Sequence, residues 1–253
     1  MAENERFNGK QERHDSVAML ESMNLLLIHS PLVTKETWLA LVASLEAEGI
    51  QSSVAVLDNN PAQNGDFFEH HITQIESSLA PLAQKNVIVV AHSGAGNLLA
   101  LLDPDRFAGH IFLDAIFPTE QGSRFDLFDD PRIAKSWQRV ANQHTNMLPR
   151  SMLIRIGEQI KDRDARDAFV AKIVDVPVEV YEELIPVHPN WPRSKRGLYI
   201  QWTDGYSADA ARAEKAGFEV RHDPALHFKM LDEPDEVAHE LVRFARENFN
   251  SDC

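Results

Sequence analysis

Apolar residues fall into two alternating patterns along this chain. Unbroken runs such as Leu25-Leu26-Leu27-Ile28, Val87-Ile88-Val89-Val90-Ala91 and Ile111-Phe112-Leu113 lack the polar residue at every second position of a half-exposed strand. Such runs mark strands buried on both faces. Between them, apolar positions recur at helical spacing, as in Trp38, Leu41, Val42 and Leu45 ahead of a closing Gly49. The pattern predicts strands over 24–29, 53–57, 87–91, 110–113, 198–202 and 219–221. It predicts helices ending at Gly49 and over 67–82, 94–102, 208–216 and 234–247. Asp58-Asn59-Asn60-Pro61 reads as the turn that ends the second strand.

Strands alternating with helices imply an α/β fold, with a mostly parallel, doubly wound sheet and helices on both faces. Residues 118–195 break the rhythm, because they hold helical patterns and no convincing strand where connections are usually short. This segment carries Phe125, Phe128, Trp137, Met147, Met152, Phe169, Tyr181 and Trp191, enough apolar surface to roof a pocket. It is expected to be a helical lid inserted into a core made of 23–117 and 196–253. Residues 1–22 are polar and charged, and are expected to be a disordered extension or a short amphipathic tail before order begins near Met23.

Composition narrows the partners. A net charge of −14 offers no basic stripe to neutralise phosphates, so a nucleic-acid partner is not expected. No apolar run reaches the roughly 18 residues that span a bilayer, and no signal-peptide core is evident. Cys253 is the single cysteine, so no intramolecular disulfide can form. A cytoplasmic monomer or homodimer is the expectation.

The strongest chemical signal is Val90-Ala91-His92-Ser93-Gly94-Ala95-Gly96, a small-x-Ser-x-small turn between a buried strand and the helical pattern from Asn97. Small neighbours are needed because such a turn strains the serine backbone and brings the next helix close. The turn presents the serine Oγ at a helix N-terminus, with the Gly94 N–H available to a developing oxyanion. Gly94-Ala95-Gly96 does not match a dinucleotide fingerprint, and no lysine follows as a phosphate loop requires.

Here the chain resembles the α/β-hydrolase superfamily, in its serine-hydrolase form with a nucleophile elbow and helical lid. The resemblance runs from Met23 to Phe249. His29-Ser30-Pro31-Leu32 stands where the superfamily usually has a His-Gly oxyanion loop, and Ala225-Leu226-His227-Phe228 looks like its histidine loop. The resemblance implies Ser93 as nucleophile and His227 as general base, with His222 a weaker rival. It implies an acid at Asp114, as in relatives that place it after the fourth strand, or alternatively at Asp204, after the strand 198–202. Pro31 has no N–H, so the oxyanion donors would be the backbone groups of Gly94 and of Leu32 or a neighbour. His92 is expected to point toward the core or lid.

The implied activity is hydrolysis of a carboxylic ester, lactone or thioester through an acyl-serine, on a small, mostly apolar substrate and without a cofactor. A lyase or isomerase using the same residues for proton transfer, and a non-catalytic ligand-binding homologue, are the alternatives. No metal is expected. His70 and His71 are adjacent, His144 and His188 stand alone, and Asp129-Asp130 and Glu182-Glu183 read as solvated faces.

Overall fold

The computed structural model describes residues 23–60, 66–82, 86–118, 122–128, 130–143, 146–194 and 196–249. The expectations for residues 1–22, Asp129, His144 and Cys253 lie outside them. In chain order the strands are β1 (Asn24–Ile28), β2 (Gln51–Ala55), β3 (Val87–His92), β4 (Gly109–Leu113), β5 (Met147–Leu148), β6 (Val176–Pro177), β7 (Gly197–Gln201) and β8 (Glu219–His222). The helices are α1 (Leu39–Ala47), α2 (Phe67–Leu79), α3 (Gly96–Leu99), α4 (Pro131–Gln143), α5 (Arg150–Gly157), α6 (Arg163–Ala171), α7 (Glu179–Glu182), α8 (Ser207–Lys215), α9 (Lys229–Asp232) and α10 (Pro234–Phe249).

Among the described residues the main sheet has six strands in the order β2-β1-β3-β4-β7-β8, and every neighbouring pair is parallel. The uniformly apolar runs serve two cores. Leu25, Leu27, Ile88, Val90 and Ile111 pack on one face with α1 and α10, through Leu41, Leu45, Leu241 and Val242. Leu26, Ile28, Val89, Ala91 and Phe112 pack on the other with Phe68 and Ile75 of α2 and Ala210 and Ala213 of α8. Alternate side chains point to opposite faces of a strand, so a strand covered on both sides must be apolar throughout.

Two expectations shift. The second strand lies at Gln51–Ala55 rather than 53–57, because Gln51, Ser52 and Ser53 pair with β1 at the sheet edge, where polar residues are tolerated. Leu57 has left the ladder and donates its N–H to His29 Nε2 at 3.1 Å. The helix expected over 94–102 is a 3-10 turn, Ser93–Ala95, followed by the single α-helical turn α3.

Between β4 and β7 the chain forms α4 to α7 and one short antiparallel pair, β5 with β6, that the apolar pattern did not reveal. Phe125, Leu153, Phe169, Val176 and Tyr181 of this segment join the core on the α1/α10 face. Among the described residues, no helix is long and apolar enough to cross a membrane.

Candidate active site

Ser93 follows the last residue of β3 with φ +57°, a left-handed conformation unusual for a residue other than glycine. The strand must reverse into the 3-10 turn without a longer loop, and the surroundings hold that reversal in place. The Ser93 carbonyl accepts from Ile116 N at 3.1 Å. A Cβ on Gly96 would stand 1.9 Å from the Ile116 carbonyl oxygen, which explains the small residue three positions after the serine.

One strand over, β4 is followed by Asp114, itself at φ +42° and fully buried. Its carboxylate accepts from Trp202 N at 3.1 Å, from Thr203 N and Thr203 Oγ1 at 2.9 Å each, and from His227 Nδ1 at 2.6 Å. His227 stands in the loop between β8 and α9. His92 donates from Nε2 to the His227 carbonyl at 2.8 Å, and their rings lie 4.5 Å apart between centroids. Burial, and then the neighbouring His227, push the His92 pKa well below its usual value, so His92 remains neutral. It faces the cavity and clamps the histidine loop.

Tyr206 closes the other side. Its ring lies flat on His227, 5.3 Å between centroids and 6° between planes, and its hydroxyl meets Ser93 Oγ at 3.2 Å. Among the described residues, no hydrogen bond joins Ser93 Oγ to His227. Burial pushes the Tyr206 phenol up from its usual value, so the group keeps its proton.

The expected oxyanion loop differs in detail. The Leu32 N–H does not point freely at the site; it donates to Ser30 Oγ at 3.3 Å. Ser30 Oγ in turn lies 3.0 Å from where a Cβ on Gly94 would be, and Tyr181 Oη lies 3.8 Å from the same point. The space where a Gly94 side chain would stand therefore faces two side-chain hydroxyls. Under Tyr181, the buried Arg124 guanidinium packs over the rings of Phe68 and Tyr181 and donates to the Val180 carbonyl. Burial lowers the Arg124 pKa to about 10.

Ser30, Ser93, Gly94, Tyr181, Tyr206 and His227 open onto a cavity of about 300 Å³ that also touches Phe128, Trp137, Leu153, Ile156, Phe169 and Gln159. Among the described residues, its lining contains no Lys, Arg, Asp or Glu.

Other candidates lie apart. Asp204 is exposed on the turn after β7 and makes no hydrogen bond to His227 among the described residues. His222 pairs with Gln201 Oε1 at 2.9 Å, His70 with Asp58 at 2.9 Å, and His71 with the Asp58 carbonyl at 3.0 Å. His188 Nδ1 accepts from Asn190 N at 3.2 Å. Glu183 is half-buried rather than fully solvated, and its carboxylate accepts from Phe68 N at 3.2 Å. Among the described residues, no group of three or more His, Cys, Asp or Glu could hold a metal ion.

Thr203 and Tyr206 were not anticipated from the sequence. Their only signal is a threonine and a tyrosine on either side of Asp204-Gly205 after a strand, in a loop that has no periodicity to read.

An all-parallel sheet with a serine on a strained strand-to-helix elbow, beside a histidine–carboxylate pair, defines the α/β-hydrolase class. A family model described as the alpha/beta hydrolase family matches residues 25–240, and the chain belongs to that family. The chain is similar in structure to an extracellular α/β-hydrolase from a Paenibacillus species, with TM-score 0.71 and 18% identity over 87% of this chain and 98% of that one. A pyrethroid hydrolase from Sphingobium faniae gives TM-score 0.63 and 20% identity, covering 88% of this chain and 97% of that one. Tomato methylketone synthase I gives 0.68 and 17%, covering 90% and 99%. At these identities the likeness speaks to the fold. A comparison with curated protein sequences found no match.

Proposed function

We propose that the protein is a serine hydrolase that cleaves a carboxylic ester, lactone or thioester through an acyl-Ser93 intermediate. One observation carries this reading: Ser93 on its positive-φ turn and His227, whose Nδ1 is held 2.6 Å from a buried carboxylate, open onto the same cavity. With Nδ1–H committed to Asp114, Nε2 is the basic nitrogen of His227. Nε2 takes the Ser93 proton as Oγ attacks the carbonyl carbon, and returns it to the departing alcohol or thiol. The tetrahedral oxyanion forms in front of the Gly94 N–H and the Ser30 hydroxyl, with the Leu32 N–H polarising Ser30 from behind. Water then repeats the sequence on the acyl-enzyme.

The described lining carries no Lys, Arg, Asp or Glu, which favours a neutral substrate, since a charged one would lose hydration and gain no ion partner among these residues. Its volume suits a small molecule. Residues 118–195 serve as the lid, and Phe128, Trp137 and Phe169 form part of the roof. Tomato methylketone synthase I has been crystallised with 2-tridecanone, an apolar ketone, which fits an apolar cleft in this fold.

The test is labelling with a fluorophosphonate, followed by peptide mapping and turnover of neutral aryl esters. One adduct on Ser93, absent in Ser93→Ala, is expected. Labelling that persists unchanged in Ser93→Ala would refute the nucleophile. Tight ligand binding with neither adduct nor turnover would favour a non-catalytic homologue.

A further inference from the structure

We infer that the Tyr206 hydroxyl is a catalytic hydrogen-bond donor to Ser93 Oγ, and that it acts in releasing the acyl group rather than in capturing it. This rests on the acyl-serine reading above. The turn after β7 touches each member of the proposed triad: Thr203 holds Asp114, the Tyr206 ring covers His227, and Tyr206 Oη reaches Ser93 Oγ at 3.2 Å. Relatives that take their acid from this turn need a carboxylate there. In this chain Asp114, just after β4, supplies the carboxylate, Asp204 on this turn is exposed, and Tyr206 is the turn residue that reaches Ser93.

The direction of the effect follows from when the bond is strong. A group accelerates a step only by interacting more strongly with the transition state than with the state before it. In the free enzyme the Ser93–Tyr206 bond already exists, so capture of the acyl group gains little from it. In the acyl-enzyme, Oγ is an ester oxygen whose lone pair is delocalised into the carbonyl, and it accepts hydrogen bonds poorly. During hydrolysis the water oxygen bonds to the acyl carbon and its proton passes to His227 Nε2. The intermediate then collapses, the C–Oγ bond breaks, and the electron pair goes to Oγ. At that moment Oγ carries developing negative charge and the Tyr206 bond becomes charge-assisted. His227 returns its proton to Oγ, and Tyr206 keeps its own throughout. The products are a carboxylic acid and the Ser93 hydroxyl. Burial raises the phenol pKa from its usual value, so the donor is present at neutral pH.

Tyr206→Phe tests this, since it removes the hydroxyl and retains the ring stacked on His227. With a p-nitrophenyl ester, whose alcohol leaves readily, kcat and KM should fall together by about tenfold. Meanwhile kcat/KM should stay within about twofold of wild type. Rapid mixing should show a burst of about one nitrophenol per active site, and intact-mass measurement should show acyl-Ser93 accumulating. Tyr206→Leu, which also loses the stacked ring, should lower kcat/KM as well. Unchanged kcat in Tyr206→Phe, or kcat/KM falling as far as kcat with no accumulated adduct, would overturn the inference. If wild type acylates on Ser93 and Tyr206→Phe behaves in either of those ways, only the role of Tyr206 fails. If wild type turns esters over with no acyl-Ser93, and Ser93→Ala remains active, the hydrolase reading fails and this inference with it.

Discussion

Asp114 Oδ2 lies 2.6 Å from His227 Nδ1, while Trp202 and Thr203 hold the same carboxylate with three further donors. Buried carboxylates are tolerated only when their lone pairs are occupied, and here every one of those donors comes from outside β4. The carboxylate is thereby fixed in direction, and the imidazole with it.

Asp114→Asn keeps the shape of the side chain but replaces one acceptor oxygen with an NH2 donor, which favours the wrong imidazole tautomer. We expect kcat to fall by about 10⁴-fold with the fold retained by circular dichroism. Asp204→Asn, altering an exposed turn residue, should stay within about twofold. The reverse ranking would move the acid to the turn after β7.

Ser30 is expected to donate to the oxyanion. Ser30→Ala should lower kcat by about 10- to 100-fold with little change in KM, and should weaken a trifluoromethyl ketone inhibitor by a similar factor. Ser30→Thr, which keeps the hydroxyl, should recover most of the loss. Equal kcat in wild type and Ser30→Ala would leave Gly94 with a donor other than Ser30.

Gly96 allows the helix after the elbow to approach the loop after β4. A methyl group there would overlap the Ile116 carbonyl, 1.9 Å away, and backbone must move to relieve it. Gly96→Ala should therefore destabilise the protein by about 1–3 kcal/mol or more in urea unfolding. An unaltered midpoint would show that the elbow can open at no cost.

Glu183 ties the chain after α7 to the N-terminus of α2 through Phe68 N, and it faces the Asp66 carboxylate with the Arg124 guanidinium nearby. Burial, followed by the hydrogen bond to Asp66, raises its pKa to about 8. A carboxyl raised in the folded state contributes stability that is complete below its ordinary, unfolded value and is lost as pH rises through the folded one. The unfolding midpoint of wild type should therefore carry a component that falls between about pH 4.5 and 8. Glu183→Gln cannot ionise and should lack that component. Parallel pH profiles for the two proteins would show that the contact does not titrate.

The sequence by itself determined the α/β architecture. A strand buried on both faces must be apolar throughout, as at Leu25–Ile28 and Val87–Ala91, and this is a local constraint readable without coordinates. The elbow was legible for a similar reason, since Gly94-Ala95-Gly96 is what steric crowding around a reversed strand demands. Only the tertiary structure decided what surrounds the serine. The placing of Asp114 rather than Asp204 beside His227 depends on where the turn after β7 runs relative to the end of β4, and these segments are brought together by sheet order, not by sequence spacing. The same long-range packing turned Leu32 N–H toward Ser30, drew Leu57 N–H to His29, and set Tyr206 between Ser93 and His227. Loop residues such as these follow no period, because their partners lie on other strands. Their positions follow from the closed core rather than from their neighbours in the chain.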